Sequence, residues 1–371
     1  MKILSLFDGM SVAQQALKEA GIPVEVYYAS EIDEYAMAVT QSNFPQTFQL
    51  GNVCKIGAST FMNMENRVDL MIGGSPCQDL SIAKKGREGL SGARSGLFWE
   101  YLRIRDEVQP EYFILENVAS MPKEAKDTIS EALGVQPVMI NASLVSAQNR
   151  KRLFWIGKWN GEKYEQVEIP QPDDRGILLK DILESDVDEK YFVEAVALRN
   201  RGQGKKPEYN GTGRANSLTT VQTDSMVRIG SLNSGGQGDR IYSEQGKSVA
   251  LSANGGGRGA KTGLYAVSVS EQVIGRKRQP DGSFKRHLEP RDDNKSSALT
   301  SNLNRSLIAE ETQIRKLTPT ECLRLQSMPD DYFDTAEYKG KPISNTQRYK
   351  MCGNAFNKEV IVHILKNMLK L

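Results

Sequence analysis

The segment GGSPCQDLS, residues 73–81, places a cysteine directly after a proline at the end of the apolar run VDLMI. Cys77 could be a buried thiol, a redox or metal residue, or a nucleophile. A free cysteine taken alone is more often a buried structural thiol. A nucleophilic thiolate needs a lowered pKa, which a strand end facing a helix N-terminus provides.

Three further residues change this interpretation. Glu116 ends the apolar stretch FILENV, and SAQNRKRLFW carries Arg150 and Arg152 at alternate positions. A carboxylic acid can protonate one atom of a substrate ring while a thiolate attacks another. Alternate strand positions share a face, so two guanidinium groups there can fix an anionic or carbonyl group. The set favours a nucleophilic Cys77, whereas Lys151 alone could be surface charge.

The N-terminal segment LSLFDGMS indicates a strand, a glycine turn and a helix. Backbone N–H groups at such a helix N-terminus suit a nucleotide-like cofactor, although a structural turn is equally compatible because G-x-G-x-x-G is incomplete. Glu31 follows the next strand, where an acid can bind ribose hydroxyls or simply precede a helix. Asn52 could contact an adenine edge, with a turn asparagine as the simpler alternative.

Alternating strands and helices would position these residues. The segments KILSLF, VEVYYAS, RVDLMIGG, YFILENV and RLFWIGKW are strand-like, with the helical SVAQQALKEAG, EYAMAVTQSN and GLFWEYLRIRDEV between them. This order predicts an α/β fold with a doubly wound, Rossmann-like parallel sheet. Ligands bind at the carboxyl ends of such strands, where FDGMS, SEID, GGSPCQ and ENV all fall. The amphipathic tail NKEVIVHILKNMLKL is expected to pack back on this first domain.

Composition excludes several classes of protein. The chain has 371 residues, 39% of them hydrophobic, which allows a large core and two domains. Its net charge of +2 is too small to indicate a partner. The four cysteines form no C-x-x-C pair and there are two histidines, so we expect neither a disulfide framework nor a metal site. No apolar run approaches the roughly 20 residues of a membrane span, so we expect a cytoplasmic protein without membrane contact.

The middle of the chain differs from both ends. It is rich in glycine, serine and asparagine, and contains the basic clusters RKRQ and FKRH. Short similar stretches recur at residues 214–220, 246–254 and 294–306, which suggests short strands joined by loops. We therefore expect a small, mostly β or irregular domain at residues 169–310, inserted into a main domain at 1–168 and 311–371.

The ordered motifs resemble those of DNA (cytosine-5) methyltransferases. They are Phe7-Asp8-Gly9, Glu31, residues 73–78, Glu116-Asn117-Val118, Gln148-x-Arg150-x-Arg152, RKLTPTECLRLQSMPDDY and Gly353-Asn354-Ala355. The resemblance covers residues 2–157 and 315 to the C-terminus. Two positions depart from it: many members have a second glycine where this chain has Ser11, and aspartate is usual where it has Asn52. The FDG form is similar to the animal de novo branch, whereas the whole is similar to bacterial or phage enzymes.

The resemblance implies a catalytic role for four residues. Cys77 would attack C6 of a flipped-out cytosine, and Glu116 would hold and protonate N3. Arg152 would contact the base carbonyl, with Arg150 supporting the loop or the base. The base C5 would then take a methyl group from S-adenosyl-L-methionine, which leaves S-adenosyl-L-homocysteine.

The resemblance also implies binding residues. Those for the cofactor would be Phe7, Asp8, Gly9, Met10, Glu31, Ile32, Asn52, Val53, Pro76, Leu97, Asn354 and Ala355. Those for double-stranded DNA would be Gln78, Ser81, Lys84, Lys85, Arg87 and Gln148, mostly on a loop that closes on the DNA. The inserted domain would recognise the target sequence.

Other functions remain open at this level. A branch of the family methylates tRNA, although its members are expected to have a more compact insert. A catalytically silent relative would keep the fold, but the retained Cys77, Glu116, Arg150 and Arg152 argue against it. A nicotinamide dehydrogenase is disfavoured because no hydride-transfer site is evident. We expect a monomer by analogy with prokaryotic members, and a cognate restriction endonuclease is a conceivable partner.

Overall fold

The computed structural model describes residues 1–57, 68–76, 96–191, 228–231, 240–251, 263–278, 284–288 and 308–371. Within residues 228–231, 268–278, 284–288 and 308–314 it describes the backbone alone. Cys77, Gln78, Ser81, Lys84, Lys85 and Arg87 lie outside the described residues, as do two of the three repeat-like stretches, 214–220 and 294–306.

An eight-stranded sheet forms the centre of the described part. Its strands are β1 (Lys2–Leu6), β2 (Val26–Ser30), β3 (Phe48–Gln49), β4 (Leu70–Gly74), β5 (Tyr112–Val118), β6 (Pro137–Asn141), β7 (Lys151–Trp159) and β8 (Tyr164–Gln166). The order is β3-β2-β1-β4-β5-β7-β6, with β8 on β7. Pairs from β3 to β5 are parallel, and β7 is antiparallel to its neighbours. The predicted α/β fold with a mainly parallel sheet is confirmed.

Seven helices of the described residues accompany this sheet. They are α1 (Val12–Glu19), α2 (Glu34–Asn43), α3 (Leu97–Val108), α4 (Lys123–Leu133), α5 (Pro319–Leu325), α6 (Asn345–Asn354) and α7 (Lys358–Leu369). Local sequence sets several of their ends: Asp33 caps α2, Asn357 caps α7, and Gly134 adopts a left-handed conformation after α4. Among these helices, none combines the length and apolarity that crossing a bilayer would demand.

Two apolar layers cover the two faces of the sheet. On one face, Ile72 and Ile114 join a cluster with Leu17 of α1 and Ile364 of α7. On the other, strand residues such as Phe113 pack with α3 and α4. Alternate strand residues face opposite sides, which explains why Phe113 and Ile114 belong to different layers. The tail therefore packs on the main domain, as its amphipathic pattern predicts.

A second sheet lies in and just beyond the predicted insert. Its strands are β9 (Arg228–Ser231), β10 (Arg240–Ser243), β11 (Leu264–Arg278), β12 (Phe284–Leu288) and β13 (Ile308–Arg315). The order is β12-β11-β10-β9, and β13 pairs antiparallel with β11. A small hairpin of β14 (Glu337–Tyr338) and β15 (Lys341–Pro342) follows α5. The second sheet thus extends past residue 310, where we place the domain boundary.

Residues 244–251 join the second sheet to the first. The buried Lys247 ammonium donates to the backbone carbonyls of Ser143 at 2.9 Å, Ser146 at 3.2 Å and Ile177. Ser248 forms an isolated parallel bridge with Gln148. The stretch at 246–254 is predicted to form a strand. In its described residues, 246–251, the β-structure is this isolated bridge.

Candidate active site

The turn between β1 and α1 has an unusual backbone. Phe7, Gly9 and Ser11 all have positive φ, at 58°, 60° and 61°. The Asp8 N–H donates to the Ser30 carbonyl at 3.1 Å, which ties the turn to the end of β2. Ser11 therefore occupies a left-handed position that glycine adopts more easily, and this is where the family often has its second glycine. Such strain is commonly retained at ligand sites.

Glu31 closes this turn from the neighbouring strand. Its Oε2 accepts the Gly9 N–H at 2.8 Å, and its Oε1 accepts the N–H groups of Ile32 and Asp33, each at 2.8 Å. The carboxylate is thus held by backbone donors from both β1 and β2 ends. It is oriented before any ligand arrives, as a residue that binds a ribose diol requires.

Asp8 is buried beneath the same turn. The Tyr27 hydroxyl donates to its Oδ1 at 2.7 Å, and the carboxyl is 6% exposed. Burial raises the pKa of Asp8 to about 6, against the opposing influence of the Ser5, Ser11 and Tyr27 hydroxyls. Asp8 is therefore a carboxyl group that changes charge near neutral pH.

A cavity of about 370 Å³ opens along the carboxyl ends of the strands. Its wall includes most of the predicted residues, namely Phe7, Asp8, Gly9, Glu31, Ile32, Asn52, Val53, Pro76, Leu97, Glu116, Arg150, Arg152, Asn354 and Ala355. It also includes residues that sequence reasoning missed: Val12, Ser30, Asp33, Ala36, Gly51, Gly74, Ser75, Val118, Lys350, Met351, Gly353 and Phe356. Gly74, Ser75, Val118 and Gly353 belong to the quoted motifs themselves, and others, such as Ser30 and Gly51, are next to predicted site residues in the chain.

Glu116 and Arg152 form an ion pair in the cavity wall. Arg152 Nε lies 2.8 Å from Glu116 Oε1, and the two side chains are 17% and 13% exposed. The antiparallel pairing of β5 with β7 sets Val118 opposite Arg152, which brings the arginine to the carboxyl end of β5. The structure thus brings together two of the four predicted catalytic residues.

Gly74 makes room for this pair. A Cβ atom at Gly74 would lie 2.9 Å from Glu116 Oε2 and 3.0 Å from the Phe356 ring, closer than real Cβ contacts. The preceding Gly73 is even more confined, because its Cβ would lie 2.7 Å from the backbone oxygen of Leu6. The glycine pair therefore lets β4 approach both β1 and Glu116.

Asn117 supports the segment that leads to Cys77. Its buried Nδ2 donates to the Ser75 carbonyl at 3.3 Å and to the Ser75 hydroxyl at 3.1 Å. Pro76, the last described residue before Cys77, lines the cavity. The Glu-Asn-Val motif thus serves both the cavity and the Ser-Pro-Cys segment.

Arg150 is bound by backbone carbonyls. Its guanidinium donates to the carbonyls of Leu251 at 3.1 Å, Gly353 at 3.1 Å and Ala355 at 2.8 Å, and the residue is 3% exposed. These contacts join the segment after β10 to the cavity wall at the end of α6. They fit the supporting part of the predicted role, and a contact with the base stays a prediction.

Two of the predicted site residues that the structure describes do not line the cavity, and their predicted contacts stay predictions. Gln148, predicted to contact DNA, is fully buried, and its backbone forms a bridge with Ser248. Met10, predicted to bind the cofactor, is 1% exposed and packs in the apolar cluster with Val12 and Leu323. Its carbonyl accepts the Tyr332 hydroxyl at 2.7 Å, which supports the turn from behind.

A second ion pair crosses the cavity wall. Lys350 Nζ of α6 lies 2.6 Å from Asp33 Oδ2, and both residues line the cavity. They are 317 positions apart in the chain. The pair joins the wall beside Glu31 to the wall beside Asn354.

These features define a class of protein: a mainly parallel α/β sheet with a cavity at its carboxyl edge, whose wall holds a carboxylate–guanidinium pair and Pro76, the residue before Cys77 in the chain. The family model for C-5 cytosine-specific DNA methylase matches residues 1–370. The chain therefore belongs to the C-5 cytosine-specific DNA methylase family, and it is a C-5 cytosine DNA methyltransferase.

Curated relatives match over nearly their whole length. The orphan methyltransferase M.SPRI of Bacillus phage SPR is 27% identical over 451 residues, covering 100% of this chain and 97% of the relative. The type II methyltransferase M.HhaI of Haemophilus parahaemolyticus is 26% identical over 378 residues, with 99% and 94% covered.

Solved structures share the fold. The S. pombe Dnmt2 methyltransferase aligns with a TM-score of 0.59 at 17% identity, covering 100% of this chain and 98% of the other. The Entamoeba histolytica methyltransferase EhMeth aligns with a TM-score of 0.63 at 13% identity, again covering 100% and 98%. At this level of identity the likeness concerns the fold alone.

Proposed function

We propose that this chain transfers a methyl group from S-adenosyl-L-methionine to C5 of a flipped-out cytosine in double-stranded DNA, with Cys77 as the nucleophile. The observation that carries the proposal is the Glu116–Arg152 pair, 2.8 Å apart, in the same cavity as the backbone-held Glu31 carboxylate. One end of the cavity suits a nucleoside, and the other presents an acid and a guanidinium group to a polar ring.

The residues present fit this cofactor. Glu31 offers carboxylate oxygens to a ribose diol, and Asn52 offers an amide beside Val53 and Ile32, whose apolar groups suit an adenine ring. The Gly353–Ala355 segment and Ser75 supply polar backbone at the other end. When bound, S-adenosyl-L-methionine supplies an electrophilic methyl group.

The protein's own residues would activate the base. The Cys77 thiolate would form the Sγ–C6 bond, the electron pair displaced through the ring would take a proton from the Glu116 carboxyl to form an N3–H bond, and Glu116 would become a carboxylate. Arg152 would donate to the base carbonyl. After methylation, a proton acceptor removes the C5 proton, the C5–H electron pair forms the C5–C6 double bond, and the Cys77 thiolate leaves with the Sγ–C6 pair. N3 returns its proton to the Glu116 carboxylate.

Glu116 would have to change partners in this sequence. In the structure its Oε1 lies 2.8 Å from Arg152 Nε. Entry of the base would replace part of that contact, and the Glu116 carboxyl would take a proton from solvent and donate it in a hydrogen bond to N3. Charged hydrogen bonds of this kind are the strong ones, so the exchange orients the base as it enters.

The inserted domain, residues 169–310, would supply recognition. Removing a cytosine from the stack costs a few kcal/mol, which contacts with phosphates and with the pocket must offset. The Lys84, Lys85 and Arg87 loop and the basic clusters of the insert are candidates for these contacts. We further propose that the chain acts as a monomer, with a cognate restriction endonuclease as its partner where one is encoded nearby.

A trapped complex tests the chemistry. Duplex DNA with 5-fluorocytosine at the target keeps a fluorine that cannot leave C5 as a proton does, so the covalent adduct persists. We expect a denaturation-resistant protein–DNA band that requires the methyl donor and is absent in Cys77→Ala. Wild-type protein that methylates DNA without any such adduct would exclude Cys77 as the nucleophile.

A substrate comparison tests the nucleic acid. Labelled methyl transfer to duplex DNA and to tRNA is measured with the same preparation, and bisulfite sequencing maps the sites on DNA. We expect methylation of DNA at one short motif. Transfer to tRNA with unmodified DNA would instead favour the RNA branch.

A further inference from the structure

We propose that Asp8 selects the charged methyl donor over its uncharged product, because its buried carboxylate attracts a sulfonium and gains nothing comparable from a thioether. The inference rests on the proposed function and adds a property of the same site: S-adenosyl-L-methionine should be bound in preference to S-adenosyl-L-homocysteine. The two ligands share their adenosine and amino-acid parts and differ by one methyl group and one positive charge.

Asp8 lies in the cavity wall, where little water reaches it. Asp8 lines the cavity and is 6% exposed, so its charge acts through a medium with little water. Among the described residues, the Tyr27 hydroxyl is the group that meets its carboxylate with hydrogen-bond geometry. No ion pair to Asp8 occurs in this part of the chain, and Asp8 lacks the three backbone donors that hold Glu31.

The groups around Asp8 do not neutralise its charge. The groups that act on Asp8 are Tyr27 and Tyr332, which burial keeps uncharged by raising their pKa well above 10, and Glu31, whose negative charge repels that of Asp8. Ser5 and Ser11 contribute hydroxyl dipoles. The nucleotide end of the cavity therefore presents the carboxylates of Asp8 and Glu31, and the nearby cation of the described wall, Lys350, is paired with Asp33. A sulfonium supplies the missing positive charge, and a thioether does not.

The cationic side chains of the cavity are already engaged elsewhere. Arg152 pairs with Glu116, and Lys350 pairs with Asp33. Arg150 donates to carbonyls at the end of α6 and after β10. Among the described residues, none of these three side chains forms an ion pair with Asp8. The preference for a cationic ligand is thus a property of this end of the cavity.

The selectivity should depend on pH in a defined direction. The pKa of Asp8 in the free protein is raised to about 6, and the donor binds better to the ionised form. Donor affinity should therefore be full above pH 7 and fall as the pH drops through 6. The α-amino groups of both ligands stay protonated below about pH 6.5, so the part of the series that spans the pKa of Asp8 is little affected by their ionisation.

The experiment measures dissociation constants by calorimetry for the donor, the product and sinefungin, an analogue with an amine in place of the methylated sulfur. Purified full-length protein is used at pH 5.0 to 8.0. For wild type we expect the ratio of product to donor Kd to rise on the order of tenfold across this range, the equivalent of one pKa unit of interaction. Sinefungin, protonated at that amine, should follow the donor.

Two variants isolate the carboxylate. Asp8→Asn keeps the shape and removes the charge, so the ratio should fall to its low-pH value and lose its pH dependence. Tyr27→Phe keeps the Asp8 charge and removes a hydrogen bond to its ionised form. The pH at which the ratio of product to donor Kd changes should therefore rise, while the ratio at pH 8 should equal that of wild type. Thermal unfolding without ligand checks that each variant is folded. If Asp8→Asn does not fold, the pH dependence of the Kd ratio of the wild-type protein tests the role of Asp8.

The outcomes separate this inference from the proposed function. Wild-type protein that binds neither donor nor product would overturn both. Protein that binds both with a ratio unaffected by pH, or a folded Asp8→Asn protein that keeps the wild-type ratio, would overturn the role of Asp8 alone. Equal losses of donor and product affinity in Asp8→Asn would show a structural role for the carboxyl in place of selection.

Discussion

The two ends of the cavity carry their charges in different ways. At the nucleotide end, Glu31 is held by three backbone N–H groups and Asp8 by a tyrosine hydroxyl, with no ion pair in the described residues. At the base end, Glu116 and Arg152 neutralise each other at 2.8 Å. The first arrangement is ready for a ligand, whereas the second must exchange a partner when a ligand enters.

This difference suits the two tasks. A binding group gains from orientation in advance, because less free energy is lost in ordering it. A group that must move a proton gains from a partner that can be displaced, because a buried carboxylate without one would be strongly unfavourable. Substitutions at the nucleotide end should therefore change affinity, and those at the base end should change the rate.

Glu116→Gln should have the largest effect. The amide keeps the shape but cannot give a proton to N3, so the single-turnover rate of methyl transfer should fall about 10²- to 10⁴-fold. Rapid-quench measurement with saturating donor and DNA checks the rate, and calorimetry should give an unchanged donor Kd. A large loss of donor affinity would contradict the separation of the two ends.

Glu31→Ala should have the opposite signature. It removes a carboxylate that accepts three backbone N–H groups and would bind a ribose diol, so donor and product should both bind about 10- to 100-fold more weakly. The single-turnover rate at saturating donor should stay close to wild type. A rate loss at saturation, with little change in Kd, would place Glu31 in the chemistry.

Arg150, just before β7, and Arg152, within β7, allow the same substitution to be compared for its effect on stability. Arg150→Lys cannot reach three carbonyls at once and leaves buried acceptors without donors, so the free energy of unfolding should fall by about 2–4 kcal/mol. Arg152→Lys keeps a positive charge beside Glu116 and leaves no buried carboxylate without a partner, so it should cost about 1 kcal/mol or less. Urea unfolding of both variants makes the comparison. Equal losses would contradict the distinct positions of these arginines.

Much of the site could be predicted because parallel strands end at one edge. Phe7, Glu31, Pro76 and Glu116 each follow an apolar strand, and the sheet brings those ends together whatever lies between. The amphipathic tail likewise predicts its own packing. These are properties of local pattern and of a fold with few alternatives.

Other features depend on contacts that no local pattern encodes. Gln148 is fully buried, and its backbone forms a bridge with that of Ser248, 100 positions later. Arg150 joins distant parts of the chain, because its guanidinium donates to the backbone carbonyls of Leu251, Gly353 and Ala355. The sequence alone predicts a DNA contact for Gln148 and support of the loop or the base for Arg150, because a buried and an exposed side chain of one type look alike in sequence.

The pair of Lys350 and Asp33 should have the smallest effect and gives the sharpest limit on the comparison. It is an ion pair, as at the base end, but its side chains are 44% and 20% exposed and join two walls of the cavity. Solvent screens such pairs, so Lys350→Met should lower the free energy of unfolding by about 0.2–1 kcal/mol. Asp33→Asn keeps the cap of α2, because asparagine is also a good N-cap, and completes a double-mutant cycle. A coupling energy that fades between 50 mM and 1 M salt is expected from urea unfolding, since about 1 M salt reduces the screening length to roughly 3 Å. Coupling that survives high salt would mean that this pair is shielded from water like the Glu116–Arg152 pair, and exposure would no longer distinguish the two.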